Sequence, residues 1–155
     1  DNFLKYSLES IKDNKFIYSR YKRVSETGKV INKSDVISLV SINKILKGTP
    51  ISCLTAFVDI KKFGKKFFPT DTNREDLAYW ILLLNDYKFA YGFNFCEANY
   101  RLHKKSSSAK KIKMAILTWE DYNNKYNLPL IKAIFYFSCY AFNGLLNFLK
   151  LNFKL

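Results

Sequence analysis

Apolar residues along the chain alternate between helical spacing and short continuous or alternating runs, which predicts a mixed order of helices and strands. Leu4, Leu8 and Ile11 recur at helical spacing and predict a helix over residues 4–13. Residues 15–24 carry Phe16, Tyr18 and Tyr21 and read as a strand. Glu26-Thr27-Gly28-Lys29 reads as a turn, with Gly28 free to take positive φ. Ser34 can cap a helix over 34–47 with Val36, Ile37, Val40 and Ile45 inward, broken by Gly48-Thr49-Pro50. Residues 51–60 form an apolar run of strand length, read as buried on both faces. A basic turn around Gly64 follows over 61–66.

Further on, Thr72-Asn73-Arg74-Glu75 fits a capping box with Thr72 as N-cap, and the next helix puts Leu77, Trp80, Ile81 and Leu84 on one face. Residues 88–95 and 97–103 read as strand-like segments, and 104–111 as a basic, serine-rich linker. Residues 113–126 read as a helix, and 130–151 as an apolar, aromatic helix or helix pair. The five glycines are isolated, which excludes a Walker loop and a dinucleotide fingerprint.

Composition narrows the class. With 155 residues, 48% of them hydrophobic, the chain is one domain or a large piece of one and can bury a core. Lys and Arg number 26 against 13 Asp and Glu, so a formal charge of +13 favours anionic partners. The joint richness in Lys, Asn, Ile, Phe and Tyr also matches AT-rich coding sequence, so the charge alone selects no partner. Cys53, Cys96 and Cys139 are dispersed, with no C-x-x-C pair; they read as buried free thiols in a reducing cytosol. Asp1-Asn2-Phe3 is neither a signal peptide nor a start methionine and reads as a cut inside a longer protein.

Two segments offer chemistry. Glu75 and Asp76 open an amphipathic helix. Acids there satisfy exposed helix N–H groups, which is one reading; a carboxylate that accepts a proton from an attacking hydroxyl is the other. Successive helix positions diverge by roughly 100°, so if Glu75 caps, Asp76 is the one left to face a substrate. The second segment is Tyr100-Arg101-Leu102-His103-Lys104-Lys105-Ser106-Ser107-Ser108, which holds the single histidine. It reads either as a solvated linker or as a loop that binds a diphosphate or metal.

Taken together, R-E-D-L-A-Y-W and Y-R-L-H-K-K-S-S-S, in this order and about two dozen residues apart, resemble the C-terminal half of bacterial family 2 glycosyltransferases of the GT-A fold. Phe67-Phe68-Pro69, residues 51–59, 88–92, 113–119 and 128–146 extend the likeness over most of the chain. The resemblance implies an α/β fold: an incomplete, acceptor-side GT-A portion over residues 1–108 and a helical, membrane-associating tail over 109–155. It implies Asp76 as catalytic base with Glu75 beside it. It implies substrate contacts from Arg101, Arg74 and Trp80, and metal or diphosphate contacts from His103 and Asp1, with Asp76 and His103 sharing one pocket. The implied reaction is inverting transfer from a nucleotide-sugar donor to a glycan or lipid-linked acceptor, assisted by a divalent cation, magnesium or manganese. The nucleotide-binding half and its D-x-D metal motif are not visible, so the isolated chain is not expected to transfer sugar.

The last apolar segment holds Lys132, Asn143, Asn147 and Lys150, which counts against a spanning helix. An interfacial helix on an anionic membrane and a core helix both fit. The implied location is cytoplasmic, at the inner face of the cell membrane. Rival readings are a basic nucleic-acid-binding module and a non-catalytic membrane-surface protein; with no named motif for the first, no nucleic-acid partner is expected.

Overall fold

The computed structural model describes residues 2–12, 14–72, 74–103 and 111–153. Within them, helices pack on a five-stranded mixed sheet, so the α/β class read from the pattern holds. The axis of the sheet is β1 (Phe16–Val24). On one side β5 (Ala90–Arg101) runs parallel to it. On the other, β4 (Ala56–Val58) pairs antiparallel with its start and β2 (Val30–Lys33) with its end. Two-residue β3 (Leu39–Val40) pairs antiparallel with β5.

The helices are α1 (Asn2–Ser10), α2 (Ile42–Leu46), α3 (Ile60–Phe63), α4 (Glu75–Tyr87), α5 (Lys111–Glu120) and α6 (Leu130–Phe153). A π-helical turn, Asp121–Lys125, extends α5. The main core forms where α4 lies on the sheet: Leu77, Trp80, Leu83 and Leu84 meet Phe16, Tyr18, Val40 and Ala90. Trp80 stacks at a tilt on Phe16, with ring centroids 5.2 Å apart. Each buried leucine, valine or phenylalanine of this set stabilises the fold by roughly 1.5–3 kcal/mol. A second cluster of Leu46, Tyr122 and Ala133 joins α2, the π-helical turn and α6.

Several local expectations are corrected. Only Ile42–Leu46 of the helix expected over 34–47 is helical. Ser34 does not cap it: Ser34 Oγ accepts the Tyr21 N–H at 2.9 Å, and its carbonyl accepts Arg20 Nε at 2.8 Å. The segment that follows is pinned from far away in sequence. The buried Tyr18 hydroxyl donates to the Ile37 carbonyl at 2.8 Å and accepts the Ile37 N–H at 3.0 Å. Paired backbone groups there have no need of a helix.

Of the run 51–60, only Ala56–Val58 is strand, and it is partly buried rather than covered on both faces. The basic turn expected over 61–66 begins as α3, capped by the Asp59 carboxylate, which accepts the Lys61 and Lys62 N–H groups. The two strand segments expected over 88–103 are one strand, β5, whose register against β1 shifts between Phe93 and Ala98. Gly92 in β5 lies so close to the Ile37 backbone that a Cβ there would collide with the Ile37 carbonyl oxygen and the Val36 side chain. All three cysteines are free, but Cys53 is exposed and Cys96 and Cys139 are half-buried, not buried as their apolar neighbours suggested.

Candidate active site

The sequence signal at the start of α4 survives in part. The capping box does not form: α4 begins at Glu75, and Arg74 stands in the N-cap position without a side-chain cap. Thr72 Oγ1 instead accepts the Arg74 N–H at 3.0 Å and donates to Asp121 Oδ1 at 3.4 Å. Glu75 is exposed at the first helical position.

Arg74 is the structural surprise, a buried arginine at the entrance of a helix. Its Nη1 donates to Thr118 Oγ1 at 2.6 Å, and Thr118 in turn donates to the Met114 carbonyl at 2.7 Å. The guanidinium also lies 5.6 Å from the Tyr140 ring centre. One side chain thus ties the start of α4 to α5 and α6, and a planar guanidinium that bonds Thr118 while it faces the Tyr140 ring fixes orientation better than a lysine would. The Asp121 carboxyl nearby is pushed up in pKa by burial; Arg74 and Lys125 oppose that shift only in part. Its Oδ2 is buried without a protein hydrogen-bond partner.

Asp76 stands two positions along, half-buried, with Oδ1 accepting the Leu77 N–H at 2.7 Å. Arg74 and Asp76 line an open cleft of about 890 Å³. Its other walls include Tyr21 and Arg23 of β1, Lys44 and Lys47 at α2, and Tyr140 and Asn143 of α6. Four cations, Arg23, Lys44, Lys47 and Arg74, face the cleft together with the carboxylates Asp35 and Asp76. Such a lining attracts an anionic ligand and leaves a carboxylate at one wall. Asp76 is also felt at Cys53, whose thiol pKa is pushed up first by desolvation and then by the Asp76 charge.

The other candidate residues lie elsewhere. Trp80 is 2% exposed in the core, so it supports α4 from behind instead of offering a substrate surface. Arg101 at the end of β5 donates through Nη1 to the Glu26 carbonyl at 2.5 Å. His103 Nδ1 lies 3.6 Å from Glu26 Oε1, and both groups are exposed. Arg101 and His103 therefore meet at the turn after β1; neither is among the residues that line the cleft, and His103 does not share it with Asp76. Asp1, Asn73 and the serine-rich linker over 104–110 lie outside the described residues.

Among the described residues no group of three His, Cys, Asp or Glu converges on a metal-sized site. His103 and Glu26 make two such donors and no third among the described residues joins them, so these two do not by themselves fit a divalent cation. Sequence reasoning missed Thr118 and Asp121, which hold Arg74 and Thr72, and the cleft residues Arg23, Lys44, Lys47, Tyr140 and Asn143. A threonine inside the otherwise apolar face of α5 was the one available signal.

No family model matches the chain. Curated bacterial proteins do. It is 35% identical to a Bacillus subtilis glycosyltransferase named for teichuronic acid biosynthesis, over 83% of this chain and 52% of that protein. It is 28% identical to the Escherichia coli UDP-Glc:alpha-D-GlcNAc-diphosphoundecaprenol beta-1,3-glucosyltransferase, over 84% of this chain and 51% of that one. An uncharacterized glycosyltransferase of Haemophilus influenzae is 29% identical over 74% of this chain and 48% of its own length. The chain is a relative of bacterial glycosyltransferases, and it spans about half the length of the curated relatives it matches.

Proposed function

We propose that this relative of bacterial glycosyltransferases forms the acceptor side of an inverting, family 2 enzyme of the GT-A fold, with Asp76 as its base. The observation that supports the reading is the placement of Asp76 on the wall of a basic cleft, beside an Arg74 locked to two other helices. In the proposed step Asp76 takes the proton of an acceptor hydroxyl as that oxygen bonds to the anomeric carbon of the donor sugar. The bond from that carbon to the diphosphate oxygen breaks, and the nucleoside diphosphate leaves with the electron pair. Donor binding is assigned to polypeptide outside this chain, so turnover belongs to the longer protein.

The acceptor is proposed to be a glycan or a lipid-linked sugar. One relative is named for a sugar on diphosphoundecaprenol and another for teichuronic acid biosynthesis. Arg23, Lys44 and Lys47 suit an acceptor that presents phosphate or carboxylate next to hydroxyls. Glu75, Arg101 and His103 receive no step: Glu75 is solvent-exposed, and the other two are engaged at the Glu26 turn.

The test is nucleoside diphosphate release from a nucleotide-sugar in the presence of acceptor by the longer polypeptide, with and without Asp76→Asn. Loss of a general base costs on the order of 10²–10⁴ in rate. The variant should show that loss with an unchanged melting temperature. Turnover at the native rate would remove Asp76 from the reaction.

A further inference from the structure

The long helix α6 is apolar on two opposite faces. Ala133, Tyr136, Phe137 and Tyr140 recur at helical spacing and turn toward the body of the protein, where Ala133 is fully buried and Trp119 meets Phe137. Tyr136 and Asn143 fasten the same face to α2: the Tyr136 hydroxyl donates to Asn43 Oδ1 at 2.8 Å, and Asn143 Nδ2 donates to the Lys47 carbonyl at 2.8 Å. On the opposite side Ile131, Ile134, Phe135, Phe142, Leu145 and Leu146 form a second stripe, all of them exposed. Ile131 is 84% and Phe142 60% exposed. A contiguous exposed stripe of this size marks an interaction surface.

Charge decides what the surface fits. From residue 104 to the end of the chain there are nine basic residues (Lys104, Lys105, Lys110, Lys111, Lys113, Lys125, Lys132, Lys150, Lys154) and two acids (Glu120, Asp121), a net +7 of the total +13. The sequence of α6 contains no acid. Lysines stand next to the stripe: Lys132 is exposed on α6, and Lys47 Nζ sits 4.9 Å from the centre of the Phe135 ring. No helix among the described residues is long and apolar enough to cross a membrane. Phenylalanine and leucine on one face, lysine at its border and too much polarity to span describe a helix that lies in the plane of an anionic bilayer.

We propose that the outer face of α6 docks on an anionic phospholipid surface, with the Ile131–Leu146 stripe at the level of the headgroups and upper acyl chains. Leu145 and Leu146 also line the cleft that holds Arg74 and Asp76. Docking by this face therefore brings the mouth of the cleft to the lipid surface, where an acceptor anchored in the bilayer meets it without leaving the membrane. The docking does not depend on sugar transfer, and it is read without any sugar present.

The experiment is co-sedimentation of the full polypeptide with vesicles of phosphatidylcholine alone or with about one-third phosphatidylglycerol, a composition that carries the anionic charge basic segments respond to. Binding should be at least fivefold greater on the anionic vesicles and should weaken with added salt. The double variant Ile131→Glu/Phe142→Glu, both positions outside the cleft lining, should lose at least tenfold of that binding with an unchanged circular dichroism spectrum. Phe142→Trp, which keeps the stripe apolar, should gain fluorescence that brominated lipid quenches. Equal vesicle binding by the double variant would overturn the proposal, as would an unquenched Trp at 142. A variant that fails to fold, or one that dissolves a dimer formed without lipid, would show that protein covers the stripe and would overturn it as well.

Discussion

The start of α4 and the end of β5 were both marked by the sequence as chemical sites, and the tertiary structure treats them very differently. At α4, Arg74 is buried, bonded to Thr118 and set against Tyr140, and Asp76 beside it opens on a basic cleft. At the end of β5, Arg101 and His103 are exposed, and among the described residues their side chains reach the turn at Glu26. A catalytic group gains from neighbours whose own positions are fixed by packing. The first region has them. In the second the backbone is paired with β1, but among the described residues the Arg101 and His103 side chains meet only a carbonyl and an exposed carboxylate, contacts that water and salt screen.

Substitutions can break or sharpen that contrast. The largest effect on stability is expected behind α4: Trp80→Ala should cost about 3–5 kcal/mol, as for other buried aromatic truncations, and would loosen the helix that carries Asp76. Chemical denaturation reads it; a loss below about 1 kcal/mol would mean that Trp80 is not the anchor that its burial indicates. Next comes Arg74→Met, which keeps the volume but leaves Thr118 without its charged partner. A cost of about 1.5–3 kcal/mol is expected from the lost charge-assisted bond. Lysine at this position should restore only part of it, because it cannot reproduce the planar donor set.

Asp121→Asn should act in the opposite direction and depend on pH. Burial raises the folded pKa of Asp121 above its unfolded value. The protonated carboxyl therefore adds stability that is complete below the unfolded pKa, about 4, and is lost as pH rises through the folded pKa. Thermal melts should show the variant gaining on the native protein as pH rises from about 4 toward neutrality; a gap that stays constant over that range would contradict the assignment. The smallest effect is expected at the other region. His103→Asn should change stability by less than about 0.5 kcal/mol, since exposed pairs contribute little. A larger loss at low salt would mean that the β5 end is more organised than its exposure shows.

How much of this was readable in advance differs by element. The face of α4 was legible in the main: Leu77, Trp80 and Leu84 recur at helical spacing and are buried, whereas Ile81 is half-buried and Ala78 and Leu83 join the buried set unforeseen. The strand β1 was legible within one residue. The segment 34–47 was not, because a short apolar run fits either period, and the choice was made by Tyr18 and by the close approach of Gly92, both distant in sequence. In the candidate site, Asp76 was legible from its place in an acidic helix start. Arg74 was legible only as a charge; its partner Thr118 lies 44 positions away.

The sequence by itself determined the mixed α/β class, the apolar face of α4, the apolar and aromatic character of α6, the basic balance and the acidic opening of one helix, because each follows from residue type and local spacing. Tertiary structure alone decided which charges share a cavity. It moved Trp80 into the core, set His103 against Glu26 and brought Arg23, Lys44 and Lys47 around Asp76. The reason is physical: periodicity fixes the direction a side chain takes from its own element, whereas the groups it meets depend on how separate elements pack.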